Sequence, residues 1–168
     1  ILLSKNLKKK REEILLNLDQ KICDKSLIFF KRLINRRCKN EPIAYLIEQK
    51  EFWSKNFFVN KNTLIPRPET ELMIEKLIQM FKGKKISILD VGTGSGCILI
   101  SLLSELTSSY GVGIDISKKA LEVAKKNLEN LGNIKKIKFL NKSIDDEFFG
   151  KFDLIVSNPP YIKSSQMK

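Results

Sequence analysis

Apolar and polar residues follow two rhythms along this chain, and the rhythm changes near residue 84. Before that point the spacing is mostly helical. Leu7, Ile14, Leu15, Leu18 and Ile22 predict a helix over residues 7–22, behind a basic start. Leu27, Ile28, Phe29, Phe30, Leu33 and Ile34 predict a second helix. Residues 51–65 read as a hairpin. Phe52, Trp53, Phe57, Phe58 and Val59 supply its apolar positions, with Asn60-Lys61-Asn62 as the expected turn. Glu69, Thr70 and Glu71 sit where a helix N-terminus favours acids, supplied by the two glutamates, leading into a helix over 72–81. From residue 84, apolar runs alternate with helical patterns. Strands are expected over 86–91, 111–114, 137–140 and 152–157, with helices from residue 97 and over 118–131, the latter stopping at Gly132. Such alternation with glycine turns argues for an α/β fold with a doubly wound, mainly parallel sheet. The expected divisions are a small all-helical domain (1–50), a connecting hairpin (51–66) and a larger domain (67–168).

The informative turn is Asp90-Val91-Gly92-Thr93-Gly94-Ser95-Gly96, between a predicted strand and a predicted helix. Its glycines permit a tight turn and let a ligand approach the backbone. The next strand ends in Asp115, 19 residues beyond Gly96. A ribose-binding carboxylate is expected roughly 20 residues on. Asp90 argues against a dinucleotide, because a carboxylate there would repel a pyrophosphate. It would attract a cationic ligand, or it caps the turn locally. S-adenosylmethionine fits the first reading. It carries a ribose, a sulfonium and an ammonium, and no phosphate.

The second informative stretch is Asn158-Pro159-Pro160-Tyr161, at the end of the last apolar run. Two prolines remove two backbone donors and leave the carbonyls. Asn158 adds a side-chain acceptor and Tyr161 a π-face, unless Tyr161 is simply a packing residue. Such an acceptor-rich loop suits a planar –NH2 group, which has two protons to donate.

Asp90 to Gly96, Asp115 and the Asn-Pro-Pro-Tyr stretch together resemble class I S-adenosylmethionine-dependent methyltransferases acting on amino or amide nitrogen. Three upstream segments narrow the resemblance. They are Asn40-Glu41-Pro42-Ile43-Ala44-Tyr45-Leu46, Glu51-Phe52-Trp53 and Leu64-Ile65-Pro66-Arg67-Pro68-Glu69-Thr70-Glu71. With them the chain is similar to the HemK-type release-factor glutamine methyltransferases. That family methylates the side-chain amide (N5) of the glutamine in the Gly-Gly-Gln loop of peptide chain release factors. The resemblance implies a substrate-recognising helical domain at the N-terminus. It implies a cofactor site of Asp90, Gly92, Thr93, Gly94, Ser95, Gly96, Asp115, Ile144 and Asn158, with Ile144 against the adenine. It implies catalytic residues Asn158, Pro159 and Tyr161, with Pro160 beside them in the substrate site. A cytoplasmic protein, monomeric at full length, that needs no metal and no nucleic acid is also expected. The family usually has glycine where this chain has Glu48 and Ser54, and often an acid at Ser143. It continues through further strands after the Asn-Pro-Pro-Tyr motif, so a truncated methyltransferase domain and an incomplete sheet are expected.

Composition changes this picture little. The 168 residues include three cysteines, Cys23, Cys38 and Cys97, in no zinc or redox spacing. There is no histidine, which excludes Ser-His and Cys-His catalysis on this chain. The net charge of +12 is spread along the sequence, with tight clusters at Lys8-Lys9-Lys10-Arg11 and Arg36-Arg37. That pattern reads as a solvated, steering surface, or as contact with RNA or an RNA-bound partner. Two other functions share these residues: an amino methyltransferase acting on a nucleic-acid base, and an inactive fragment.

Overall fold

The computed structural model describes residues 1–132, 134, 136–146 and 150–159. They fall into two units, Ile1–Glu48 and a second that begins at Gln49. The first unit holds α1 (Leu2–Leu7), α2 (Arg11–Leu15), α3 (Asp24–Cys38) and α4 (Ile43–Ile47). The helix expected over 7–22 does not form as one element. Lys8 turns into the left-handed region (φ 52) and its N–H bonds back to Ser4, ending α1. Four adjacent cations follow or include that residue, and like charges three or four apart oppose a continuous helix. Leu16 and Leu18 are left exposed. α3 is as expected, but longer. Arg36 and Arg37 lie in its last turn, where cations complement the helix dipole. The Arg36 guanidinium donates twice to the Glu41 carboxylate. At the end of α4, Glu48 takes φ 54 while its N–H reaches the carbonyls of Ala44 and Tyr45. Glycine adopts that conformation without penalty, so a side chain here costs on the order of 1 kcal/mol.

The second unit opens with β1 (Gln49–Phe52) and β2 (Lys55–Phe58), an antiparallel pair in the register Gln49↔Phe58 to Phe52↔Lys55. Its turn is Trp53-Ser54, not Asn60-Lys61-Asn62. Both turn residues have positive φ, 50 and 53, as a two-residue loop matched to strand twist requires. Two carboxylates hold this strained turn. Glu71 accepts the Trp53 backbone N–H at 3.0 Å, and Glu105 accepts the indole N–H at 3.1 Å. Asn60 makes a separate turn beyond β2, accepting the Asn62 N–H on its own side chain.

The remainder alternates as the sequence predicts: α5 (Glu69–Phe81), β3 (Ser87–Val91), α6 (Cys97–Glu105), β4 (Tyr110–Asp115), α7 (Lys118–Asn130), β5 (Ile137–Asn141) and β6 (Leu154–Ser157). The four strands are parallel in the order β5-β4-β3-β6. β6 starts later than expected because Asp153 spends its side chain on β3. Its carboxylate accepts the Ser87 N–H and hydroxyl, both at 2.8 Å. These bonds hold the Asp153 carboxyl below its usual range. α6 is buried from Ile98 to Leu103, consistent with its apolar sequence all round. It lies close on the sheet because β4 has glycine there. A Cβ at Gly111 would meet Leu99 at 2.5 Å. Among the described residues no helix is long and apolar enough to cross a membrane.

Among the buried polar residues, Asn127 links separate segments. Asn127 is fully buried on the apolar face of α7, with Ala120, Val123 and Ala124. Its Oδ1 accepts the Phe58 N–H at 2.6 Å, and its Nδ2 donates to the Phe58 and Ser95 carbonyls at 2.9 Å each. An unpaired buried backbone group costs about 1–3 kcal/mol. Asn127→Leu should therefore lower unfolding stability by about 3 kcal/mol or more, and Asn127→Gln should not restore it. Denaturant titration checks this, and a midpoint unchanged by the leucine would contradict the assignment.

Candidate active site

The chain order of the sheet reverses at β3. β4 and β5 lie on one side of it and β6 on the other. In open α/β sheets ligands bind beyond the carboxyl ends of the strands at such a reversal. The register fixes what lies there. Val91 pairs with Ile114 on one side and Ser157 on the other, and Asp115 pairs with Asn141. The glycine turn, Asp115 and Asn158 therefore follow directly from neighbouring strand ends.

The turn needs its glycines. Gly92, Gly94 and Gly96 have φ of 69, 55 and 77. Gly96 also packs where a Cβ would come within 3.1–3.2 Å of Ile100, Phe139 and Ala124. Thr93 donates its N–H to Ile114 at 2.9 Å, and Gly96 donates to Thr93 at 2.8 Å. The Ser95 carbonyl is held by Asn127. Asp115 reaches across from β4: one carboxylate oxygen accepts the Gly94 N–H at 3.0 Å, the other the Ser117 N–H at 2.8 Å. An ionised carboxylate offers about four lone-pair sites, so acceptor capacity remains at Asp115. Asn141 secures the same corner, donating to the Asp115 and Ile116 carbonyls at 2.9 Å each.

Asp90 lies beneath the turn, 1% exposed. Its Oδ2 accepts the Thr93 hydroxyl at 2.7 Å, and its Oδ1 has no hydrogen-bond partner. Burial pushes its carboxyl up to about 6. The Thr93 hydroxyl, and to a lesser degree the Leu99 backbone, pull it down, and the Asp115 charge adds to the rise. Ile144 comes three residues after β5 and is half exposed. It sits in a turn tied by Ser143, whose N–H and hydroxyl donate to Asp146 and Asp145.

On the far side of β3, the Ser157 hydroxyl donates to the Val91 carbonyl at 2.9 Å and pins the end of β6. Asn158 follows, its Nδ2 donating to the Thr70 hydroxyl at 3.1 Å. Pro159 is exposed. Pro160 and Tyr161 lie outside the described residues. Thr70, Asn127, Asn141 and Ser157 were not singled out by sequence reasoning. Asn127 had a signal, an amide on an otherwise apolar helical stripe. Thr70 stood inside the Pro-Arg-Pro-Glu-Thr-Glu block with no visible reason for being threonine.

The chain is similar to known proteins. The chain is 43% identical to a release factor glutamine methyltransferase of Buchnera aphidicola subsp. Baizongia pistaciae, over 100% of this chain and 61% of the relative. It is 44% identical to one of Leptospira interrogans (98% and 59%). It is 37% identical to a bifunctional methyltransferase of Rickettsia conorii (99% and 37%). The chain thus spans about three fifths, or less, of the length of these relatives. Among solved structures, the hMettl16 catalytic domain in complex with MAT2A 3′UTR hairpin 6 has a TM-score of 0.56 at 21% identity, over 73% of this chain and 44% of that one. The human methyltransferase 10 domain containing protein has 0.51 at 22% (65% and 56%). Both likenesses concern the fold. Residues 1–47 match the PrmC N-terminal domain. Residues 68–168, more than half of the chain, match the Methyltransferase small domain, and the chain belongs to that methyltransferase family.

Proposed function

We propose that the protein transfers a methyl group from S-adenosylmethionine to the side-chain amide nitrogen of the glutamine in the Gly-Gly-Gln motif of a peptide chain release factor. The observation that carries this reading is the position of Asn158, at the carboxyl end of β6 and one strand away from the glycine turn. The names of the relatives support the substrate. A release factor substrate makes the protein cytoplasmic, and the N-terminal helical unit serves to recognise that substrate.

S-adenosylmethionine, when bound, supplies a methyl group already activated on a sulfonium. The residues present suit it. Asp115 has acceptor capacity left for ribose hydroxyls after its two backbone bonds. The turn of residues 92–96 exposes backbone without side-chain bulk at its glycines. Ile144 offers an apolar surface for the adenine. Asp90 acts from below, because a buried charge attracts a cation without touching it. The Asn158 side-chain oxygen and the Pro159 carbonyl accept the two N–H groups of the glutamine amide. An amide nitrogen is a poor nucleophile, and two fixed acceptors orient it and favour the positive charge that develops there.

Mass spectrometry after incubation with release factors carrying Gly-Gly-Gln or Gly-Gly-Ala tests the substrate. A methyl group on the alanine form, or on nucleic acid in preference to protein, would overturn it. Asn158→Ala should lower kcat about 100-fold with little change in cofactor affinity, whereas Asn158→Asp keeps an acceptor and part of the activity. Asp115→Ala should weaken S-adenosylmethionine binding by about 1.5–3 kcal/mol, read by calorimetry.

Asp90 makes a prediction about pH. Its folded value of about 6 stands above the ordinary 3.8, so the folded state binds the extra proton. The stability this gives is complete below about pH 4 and is lost as pH rises through 6, an amount of about 3 kcal/mol. The difference in stability between Asp90→Asn and wild type should therefore grow in favour of the variant over that window. Parallel pH curves for the two proteins would remove the buried charge from the account.

A further inference from the structure

We propose that Thr70 is the positioning residue for Asn158. The inference rests on the reading of Asn158 as the substrate acceptor. It starts from a problem that reading leaves open. An asparagine side chain beyond a strand end can turn among several staggered rotamers. In the wrong one its acceptor would lie away from the target –NH2. The β6 backbone cannot prevent this. Its last residue, Ser157, is fixed to β3 through the Val91 carbonyl, but that bond sets the path of the chain and not the torsion of the next side chain.

The constraint comes from a segment 88 residues earlier in the chain. Thr70 is the second residue of α5. Its hydroxyl receives the Asn158 Nδ2 at 3.1 Å, which ties the side chain to a second element and fixes its torsion. Thr70 itself is held by a tight start to the helix. Its own N–H donates to the Arg67 carbonyl at 3.0 Å, and the Glu71 N–H donates to the Pro68 carbonyl at 2.9 Å. Prolines at 66 and 68 restrict φ on either side of Arg67. Glu71, next along, anchors the hairpin turn through the Trp53 N–H. The block of residues 66–71 therefore serves two neighbours at once. Threonine restricts the hydroxyl through its β-branching, and both partners are partly buried, where water competes less for the bond.

The test compares Thr70→Val, which keeps the shape and removes the hydroxyl, with Thr70→Ser, which keeps the hydroxyl. The first readout needs no reaction. In protein labelled with 15N-asparagine, the Asn158 side-chain –NH2 signals are identified by their loss in Asn158→Asp. Thr70→Val should shift these signals and speed their exchange with water, and Thr70→Ser should leave them near wild type. The second readout is methyl transfer to a Gly-Gly-Gln release factor. Thr70→Val should lower kcat by about 10- to 100-fold, with KM for S-adenosylmethionine within about twofold. Thr70→Ser should retain most of the turnover. A merely structural role would instead lower thermal stability or move KM and kcat together. Asn158 signals unchanged in Thr70→Val would overturn the proposal, as would unchanged kcat. Normal turnover in Asn158→Ala would overturn the reading of Asn158 itself, and the positioning role with it, whatever the spectra show.

Discussion

The buried amide of Asn127 joins three segments that no single hydrogen-bond ladder connects. It takes both backbone groups of Phe58 at the end of the hairpin and the Ser95 carbonyl of the glycine turn. A fully buried polar group is costly unless it is satisfied, and here the three bonds satisfy most of its capacity. That cost is what makes the arrangement specific. A hydrophobic residue at 127 would fill space, but it would leave the hairpin and the turn free to choose their own positions. With asparagine, the second strand of the hairpin, α7 and the turn are set relative to one another to within a hydrogen-bond length.

The carboxyl edge of the sheet is built in the same way. Asp115 holds the turn at Gly94, Asn141 holds the corner behind Asp115, Ser157 holds β6 to β3, and Thr70 holds Asn158. Each is a short polar side chain bonded to a neighbouring element. Short side chains lose little rotamer freedom when ordered, so they suit a site that must be rigid before a ligand arrives. Asp90 is the exception in cost. It is a carboxylate kept in the core with one oxygen unpaired, and burial favours its neutral form. The fold carries that expense at the one strand end where a negative charge lies beneath the glycine turn.

Among the described residues Lys8, Asn40, Glu48, Trp53 and Ser54 take positive φ without being glycine. Glu48 and Ser54 are two positions where glycine is usual in the family this sequence resembles. The hairpin turn keeps its shape because Glu71 and Glu105 each accept a Trp53 N–H from a different helix. The edge-to-face contact of Phe52 with Phe57, centroids 6.0 Å apart, closes the hairpin on its buried side. Local preference is overruled by contacts from elsewhere.

The sequence alone determined the alternation of strands and helices, the glycine turn and the two polar strand ends. Each is a short-range pattern: an apolar run, a glycine that must take positive φ, a helix stop at Gly132. The N-terminal helix over 7–22 failed because apolar spacing says nothing of four neighbouring cations or of the left-handed break at Lys8. The hairpin turn was misplaced because Asn60-Lys61-Asn62 has ordinary turn chemistry, whereas Trp53-Ser54 turns only with help from Glu71 and Glu105. Tertiary structure decided which distant residues complete the site. The bond between Thr70 and Asn158 spans 88 positions and that between Phe58 and Asn127 spans 69. Neither leaves a periodic trace in one sequence, because a single polar side chain at a register set by the sheet looks like any other polar residue until the chain folds.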